Sequence, residues 1–151
     1  MVKMQSKGKG TKSRPRTAKS KGKVKHTRWR DLHYEILNPL LRRQFVVGKN
    51  VMLAHIRLLK GCVVPMHKHH NEQLSYIMEG RLKFWIGRRA IIVHAGEVLA
   101  IPPHAPHKVE ALADSLSLDI FSPPRADWIN QTDQYLREEP KKSATSARKV
   151  G

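Results

Sequence analysis

The stretch Gly61–Gly80, GCVVPMHKHHNEQLSYIMEG, decides the fold. It opens and closes on glycine, and its centre carries His67-Lys68-His69 followed by Gln73. In a strand, residues two apart share a face, so His67 and His69 are expected to point the same way. Two imidazoles on one rigid face make half of a metal site. Gln73 follows a short polar turn (His70, Asn71, Glu72) and precedes the apolar run Leu74–Met78. If the chain is already extended there, Glu72 points to the opposite face, which favours Gln73 as the third candidate ligand. His107 arrives from a distant strand as the fourth. Local pairing plus one remote ligand is what a barrel interior supplies.

Outward from this stretch the pattern is the same. Gly48, Gly61, Gly80, Gly87 and Gly96 each close a short apolar run. Asn50–Leu59 alternates, with Met52, Ala54, Ile56 and Leu58 on one face, and Leu82, Phe84 and Ile86 repeat that period of two. Gln44–Val47, Ala90–His94, Val98–Ile101 and Leu116–Phe121 are short and rich in β-branched or aromatic residues. Many short strands with turn signals between them predict an all-β sandwich or barrel. No amphipathic helix is expected before Pro124, and Asp127–Arg137 reads as one short closing helix carrying Trp128, Ile129, Tyr135 and Leu136. Along 116–121, Leu116, Leu118 and Ile120 alternate with Ser117, Asp119 and Phe121. The aliphatic face is expected to pack between sheets, and Asp119 to stand on the lumen side.

The net charge of +17 suggests a nucleic-acid partner until its location is read. Residues 1–30 hold 12 Lys or Arg and no acid, whereas residues 31–136 hold 12 basic and 10 acidic side chains. The basicity belongs to the tails. Residues 1–28 are nearly devoid of apolar side chains, as are 138–151, and both read as disordered tails flanking one domain over 29–137. The single cysteine, Cys62, excludes an internal disulfide and fits a reducing compartment. No run approaches the roughly 18 apolar residues of a membrane span, and no apolar segment follows the N-terminal charges as in a secretory signal. The expected location is cytoplasmic.

Two spacings connect these residues to a known family. Gly61-x5-His67-x-His69-x3-Gln73-x6-Gly80 resembles the first cupin motif, with Gln where the commonest form has Glu. Gly96-x5-Pro102-x-His104-x2-His107 resembles the second, with His104 replacing its usual Gly and Ala111 its final Asn. The resemblance covers about Trp29 to Arg137 and implies a cupin double-stranded β-helix, or jelly-roll barrel, and a homodimer. It also implies one divalent metal held by His67, His69, Gln73 and His107. Zn²⁺, Mn²⁺, Ni²⁺ and Fe²⁺ all accept such donors. Three imidazoles and an amide leave the metal its full dication charge, which strengthens it as a Lewis acid and disfavours dioxygen activation. His104 is expected at a turn with left-handed backbone.

The string Asp119-Ile120-Phe121-Ser122-Pro123-Pro124-Arg125-Ala126-Asp127-Trp128 narrows the resemblance to the small pectin-degradation cupins, which open the ring of 4,5-unsaturated uronates. That likeness implies a small acidic substrate, with Asp119 and Arg125 as catalytic residues and Phe121 and Arg125 as substrate-binding residues. Arg125 would hold a carboxylate in a bidentate contact while Asp119 exchanges protons. The structural alternative is a plain Asp119–Arg125 salt bridge. Two other functions stand beside this one. An iron- or copper-dependent dioxygenase could use the same scaffold. So could a non-catalytic regulatory cupin whose basic tail contacts nucleic acid; a solvated extension is the reading favoured for that tail.

Overall fold

The computed structural model describes residues 22–137, so most of the 1–28 tail and all of 138–151 lie outside the described residues. A 3-10 turn over Trp29–Asp31 leads into ten strands. These are β1 (Glu35–Asn38), β2 (Leu41–Val47), β3 (Met52–Leu58), β4 (Val63–His67), β5 (Glu72–Glu79), β6 (Arg81–Ile86), β7 (Arg89–His94), β8 (Val98–Ile101), β9 (His107–Ala111) and β10 (Ser115–Ser122). They form a six-stranded sheet, β1-β2-β3-β10-β5-β8, and a four-stranded sheet, β4-β9-β6-β7, in which every pairing is antiparallel. Two such sheets face to face are the jelly-roll barrel that the motifs implied. No helix among the described residues is long and apolar enough to cross a membrane.

Alternation along each strand builds the interior. Met52, Ala54 and Leu58 of β3 point inward and are buried, as are Leu82 and Phe84 of β6 and Ile77 of β5. Val64, Val93, Ile101 and Val109 belong to the same apolar core. Gly80 makes the tight turn from β5 to β6 at φ +78°, and a Cβ there would lie 2.3 Å from the Asp114 carbonyl. No other residue fits.

For β10 the structure places Asp119 on the lumen side, as expected, but not the aliphatic row between the sheets. Ser117, Asp119 and Phe121 face the space between the sheets and are buried, while Leu118 and Ile120 lie on the outer face of the six-stranded sheet. The reason is register: Asp119 pairs with Ala54 and Ser75, both fully buried, so its parity is fixed inward. The aliphatic face of β10 therefore covers the outside of the barrel.

The C-terminal segment also differs from expectation. It forms two four-residue helices, α1 (Ala126–Ile129) and α2 (Gln134–Arg137), not one. Gln131 between them takes a left-handed conformation, φ +56°, which ends the first helix. Trp128 and Leu136 insert into the core. The segment is tied to β1 and β2 by four charges. Arg43 Nη1 lies 2.6 Å from Asp133 Oδ2 and Arg43 Nε 2.9 Å from Glu35 Oε2, and Arg137 closes the ring to both acids. Arg43 is 1% and Asp133 0% exposed, so neither can turn to water if its partner is lost. Replacing Asp133 by Ala should therefore destabilise the fold by about 3–5 kcal/mol. Denaturant unfolding measures this, and an unchanged midpoint would show that the network does not anchor the C-terminal segment.

Candidate metal centre and its cavity

His67 ends β4 and stands opposite His107, the first residue of β9. His69 lies beyond the strand, in the connection to β5, so strand parity alone does not aim it. Backbone acceptors do. His67 Nδ1 is 2.7 Å from the Pro65 carbonyl, His69 Nδ1 3.0 Å from that of Asn71, and His107 Nδ1 2.8 Å from that of Ala105. Each Nδ1–H donates to its carbonyl, which leaves each Nε2 with a free lone pair. Potential ligand atoms of the three imidazoles lie within 4.8 Å of one another.

Their electrostatics suit ligation. Burial, reinforced by the neighbouring His107, pushes His67 down to about 3. Burial and then the charge of Arg125 push His69 down to about 4, and burial also lowers His107. All three are neutral at pH 7, the state a metal requires. His107 Nε2 is buried and has no hydrogen-bond partner among the described residues. A buried imidazole nitrogen without a partner, aimed at two others, fits a metal ion better than a satisfied core histidine does.

Gln73 is the second residue of β5 and faces the lumen, 5% exposed, while Glu72 before it faces solvent. Its Oε1 is 3.1 Å from His69 Nε2, and its Nε2 donates to Ser75 Oγ (3.0 Å) and Asp119 Oδ2 (3.3 Å). Asp119 also accepts a short hydrogen bond from Ser117. Burial pushes its carboxyl up to about 6, against the opposing pull of those serines and of Arg125.

Arg125 does not pair with Asp119, so the plain salt bridge between them is absent. Its Nε and Nη2 are held by Asp127, at 2.9 and 2.7 Å, and Nη2 also donates to Tyr135 Oη at 2.7 Å. The fork expected to grip a substrate carboxylate is thus already occupied, which leaves Nη1 as the terminus for a ligand. Phe121 lies under this guanidinium, 5.2 Å from its ring centroid, and packs edge-on against His69. His67, Gln73, His107, Asp119, Phe121 and Arg125 all line one cavity.

Sequence reasoning missed four contributors. Tyr135 stacks on His67 at 4.8 Å and bonds Arg125, yet it reads only as an apolar face of a closing helix. Ser75 and Ser117 sit at inward positions of β5 and β10, and their parity with Gln73 and Asp119 was the available signal. Asn71, taken as a polar turn residue, is 2% exposed and donates to the Pro123 carbonyl at 2.6 Å. That bond ties the ligand-bearing loop to the segment leading into Arg125. His104 has the expected left-handed backbone, φ +64°.

Residues 54–122 match the family model described as cupin domain. Fold and family match together mark this central part of the chain as a cupin domain. Within that class it resembles the pectin degradation protein KdgF of Dickeya dadantii, at 26% identity over 99 residues, covering 64% of this chain and 90% of that protein. The structure of KdgF from Halomonas sp. superposes with a TM-score of 0.67 at 23% identity, covering 70% of this chain and 99% of that one. An uncharacterized protein of Methanocaldococcus jannaschii is 31% identical over 80 residues, which span 52% of this chain and 64% of that protein.

Loosening the loop that carries His69 should weaken the centre without unfolding the barrel. Asn71→Ala is expected to lower metal affinity by about 10- to 100-fold in competition with a chelator. Unchanged affinity would show that the loop does not need its anchor.

Proposed function

We propose that the chain is a metal-dependent enzyme that opens the ring of a 4,5-unsaturated uronate monosaccharide. The observation that carries this reading is three convergent imidazoles, two of which, His67 and His107, share one cavity with the buried carboxyl of Asp119 and the buried guanidinium of Arg125. The likeness to a pectin degradation protein supports the substrate class. Gln73 joins the imidazoles as the fourth ligand: Ser75 and Asp119 engage its amide nitrogen, which leaves Oε1 on the metal side. A bound divalent metal supplies Lewis-acid polarisation of a substrate oxygen.

The chain's own groups do the rest. Arg125 Nη1 holds the uronate carboxylate, and Asp127 and Tyr135 fix the direction of the guanidinium. Phe121 forms an apolar wall beside the sugar. Asp119, with its carboxyl near 6, is suited to take a proton and give it back close to neutral pH. It accepts the proton of the anomeric hydroxyl as the bond between the anomeric carbon and the ring oxygen breaks. An aldehyde forms at one end and an enol at the other. The enol then loses its hydroxyl proton and gains one at carbon, becoming a ketone. No proton is gained or lost overall, so no co-reactant is needed.

Replacing Asp119 by Asn should lower kcat by about 10²- to 10⁴-fold while the bound metal stays in place. The assay is loss of the unsaturated uronate's ultraviolet absorbance, run with an oxygen electrode. A wild-type rate in the variant would contradict the role of Asp119, and oxygen uptake during turnover would select the dioxygenase reading instead.

A further inference from the structure

The outer face of the four-stranded sheet carries side chains that the metal centre does not use. Leu82 and Phe84 point into the barrel, so Arg81, Lys83 and Trp85 of β6 point away from it. Val109 points inward on β9, which turns Lys108 and Glu110 outward, and Val93 does the same for Ala90, Ile92 and His94 of β7. Register then sets two rows across the sheet. One runs Lys108, Trp85, Ala90, and the next runs Glu110, Lys83, Ile92. Arg88 and Arg89 lie exposed at the β6–β7 turn, beyond the Trp85 end of the strand.

Trp85 is half-buried at the centre of this face. Lys83 Nζ lies 4.7 Å and Lys108 Nζ 4.6 Å from the centroid of its ring. Its neighbour across β7 is Ala90, too small to cover an indole. Glu110 stands directly opposite Lys83 in register. Even so, Arg81, Lys83, Arg88, Arg89 and Lys108 form no ion pair with an acid among the described residues. The lysines rest on an aromatic ring, and their long stems can carry the ammonium groups from the ring to an anion without moving the backbone.

We propose that this face binds single-stranded RNA. An aromatic ring set among cations takes a base by stacking and the flanking phosphates by charge. A base replaces the lysines on Trp85, and the ammonium groups of Lys83 and Lys108 move to the phosphates. Arg81 at one end of β6 and Arg88 and Arg89 at the other extend the positive path. A duplex keeps its bases stacked on one another, out of reach of the ring. Glu110 favours RNA over DNA, because its carboxylate accepts a hydrogen bond from a 2′-hydroxyl and would only repel a strand that lacks one. A bilayer suits the face less well, since Trp85 lies among the strands and does not project from a loop tip. The N-terminal arm fits the same partner. Residues 1–30 hold 12 Lys or Arg and no acid, which adds affinity for phosphates, but no Phe, Tyr or Trp precedes Trp29 to engage a base. On this face β6 supplies that aromatic.

The test is fluorescence anisotropy of a labelled oligouridylate of about 20 nucleotides, titrated with the full chain at several salt concentrations. The matching oligodeoxyuridylate and an RNA duplex of the same length are run beside it. The oligouridylate is expected to bind about tenfold more tightly than either, with an affinity that falls as salt rises. Trp85→Leu keeps an apolar side chain but has no π face; it should weaken that binding by about tenfold and erase the preference over duplex. Trp85→Phe should recover much of both. Lys83→Gln with Lys108→Gln should weaken every nucleic acid and flatten the slope of log affinity against log salt by about 1.4. Circular dichroism and bound metal are expected to be unchanged in all of these variants. An oligouridylate that does not bind would overturn the proposal. So would a Trp85→Leu chain that binds like the wild type, or equal affinity for the duplex or the deoxy strand. Vesicles of phosphatidylcholine and phosphatidylglycerol that bind the chain through Trp85, while the RNA does not, would assign the face to a membrane instead.

Discussion

Three imidazole N–H groups donate to the backbone carbonyls of Pro65, Asn71 and Ala105, and those bonds commit three Nε2 lone pairs to one small region of the barrel. Every other element can be seen as placing those carbonyls. Pairing of β4 with β9 sets His67 opposite His107. The loop before β5 swings His69 in from outside the strand, and Asn71 fastens that loop to the β10 exit through the Pro123 carbonyl. Burial then keeps the rings neutral, so that position and protonation state serve the same end.

The barrel interior is divided. Its apolar end is filled by Leu82, Phe84, Val93 and Val109, and its polar end by Gln73, Ser75, Ser117 and Asp119. Polar groups at that depth cost stability unless they are satisfied, and here they satisfy one another in a single hydrogen-bonded chain. The C-terminal segment closes this end. Trp128 lies between two guanidiniums, 4.2 Å from Arg43 and 4.8 Å from Arg125, so one aromatic ring joins the ion network that anchors the segment to the arginine that faces the cavity. Stability and site share that contact.

The barrel was legible in the chain because period two survives wherever one face is buried, as at Met52, Ala54 and Leu58 or Leu82 and Phe84. The candidate ligands were legible because their spacing is local, apart from His107. What escaped was decided by tertiary pairing. In β10 the lumen side was legible for Asp119, but the aliphatic row looks like core until Asp119 is seen to pair with Ala54 and Ser75. Arg125 taken alone offers a free fork, and only the fold shows Asp127 already holding it. Tyr135 gave no signal at all, because its partner His67 comes from a strand remote from it in sequence, and Arg125 meets it only once the chain between them has folded back.

Elemental analysis of the purified protein beside a His67→Ala/His107→Ala double variant tests the central claim most directly. The account predicts about one equivalent of a divalent transition metal in the wild type and none in the variant, with both barrels folded. A wild type that stays metal-free even after reconstitution would contradict it, as would a variant that binds metal as well as the wild type does.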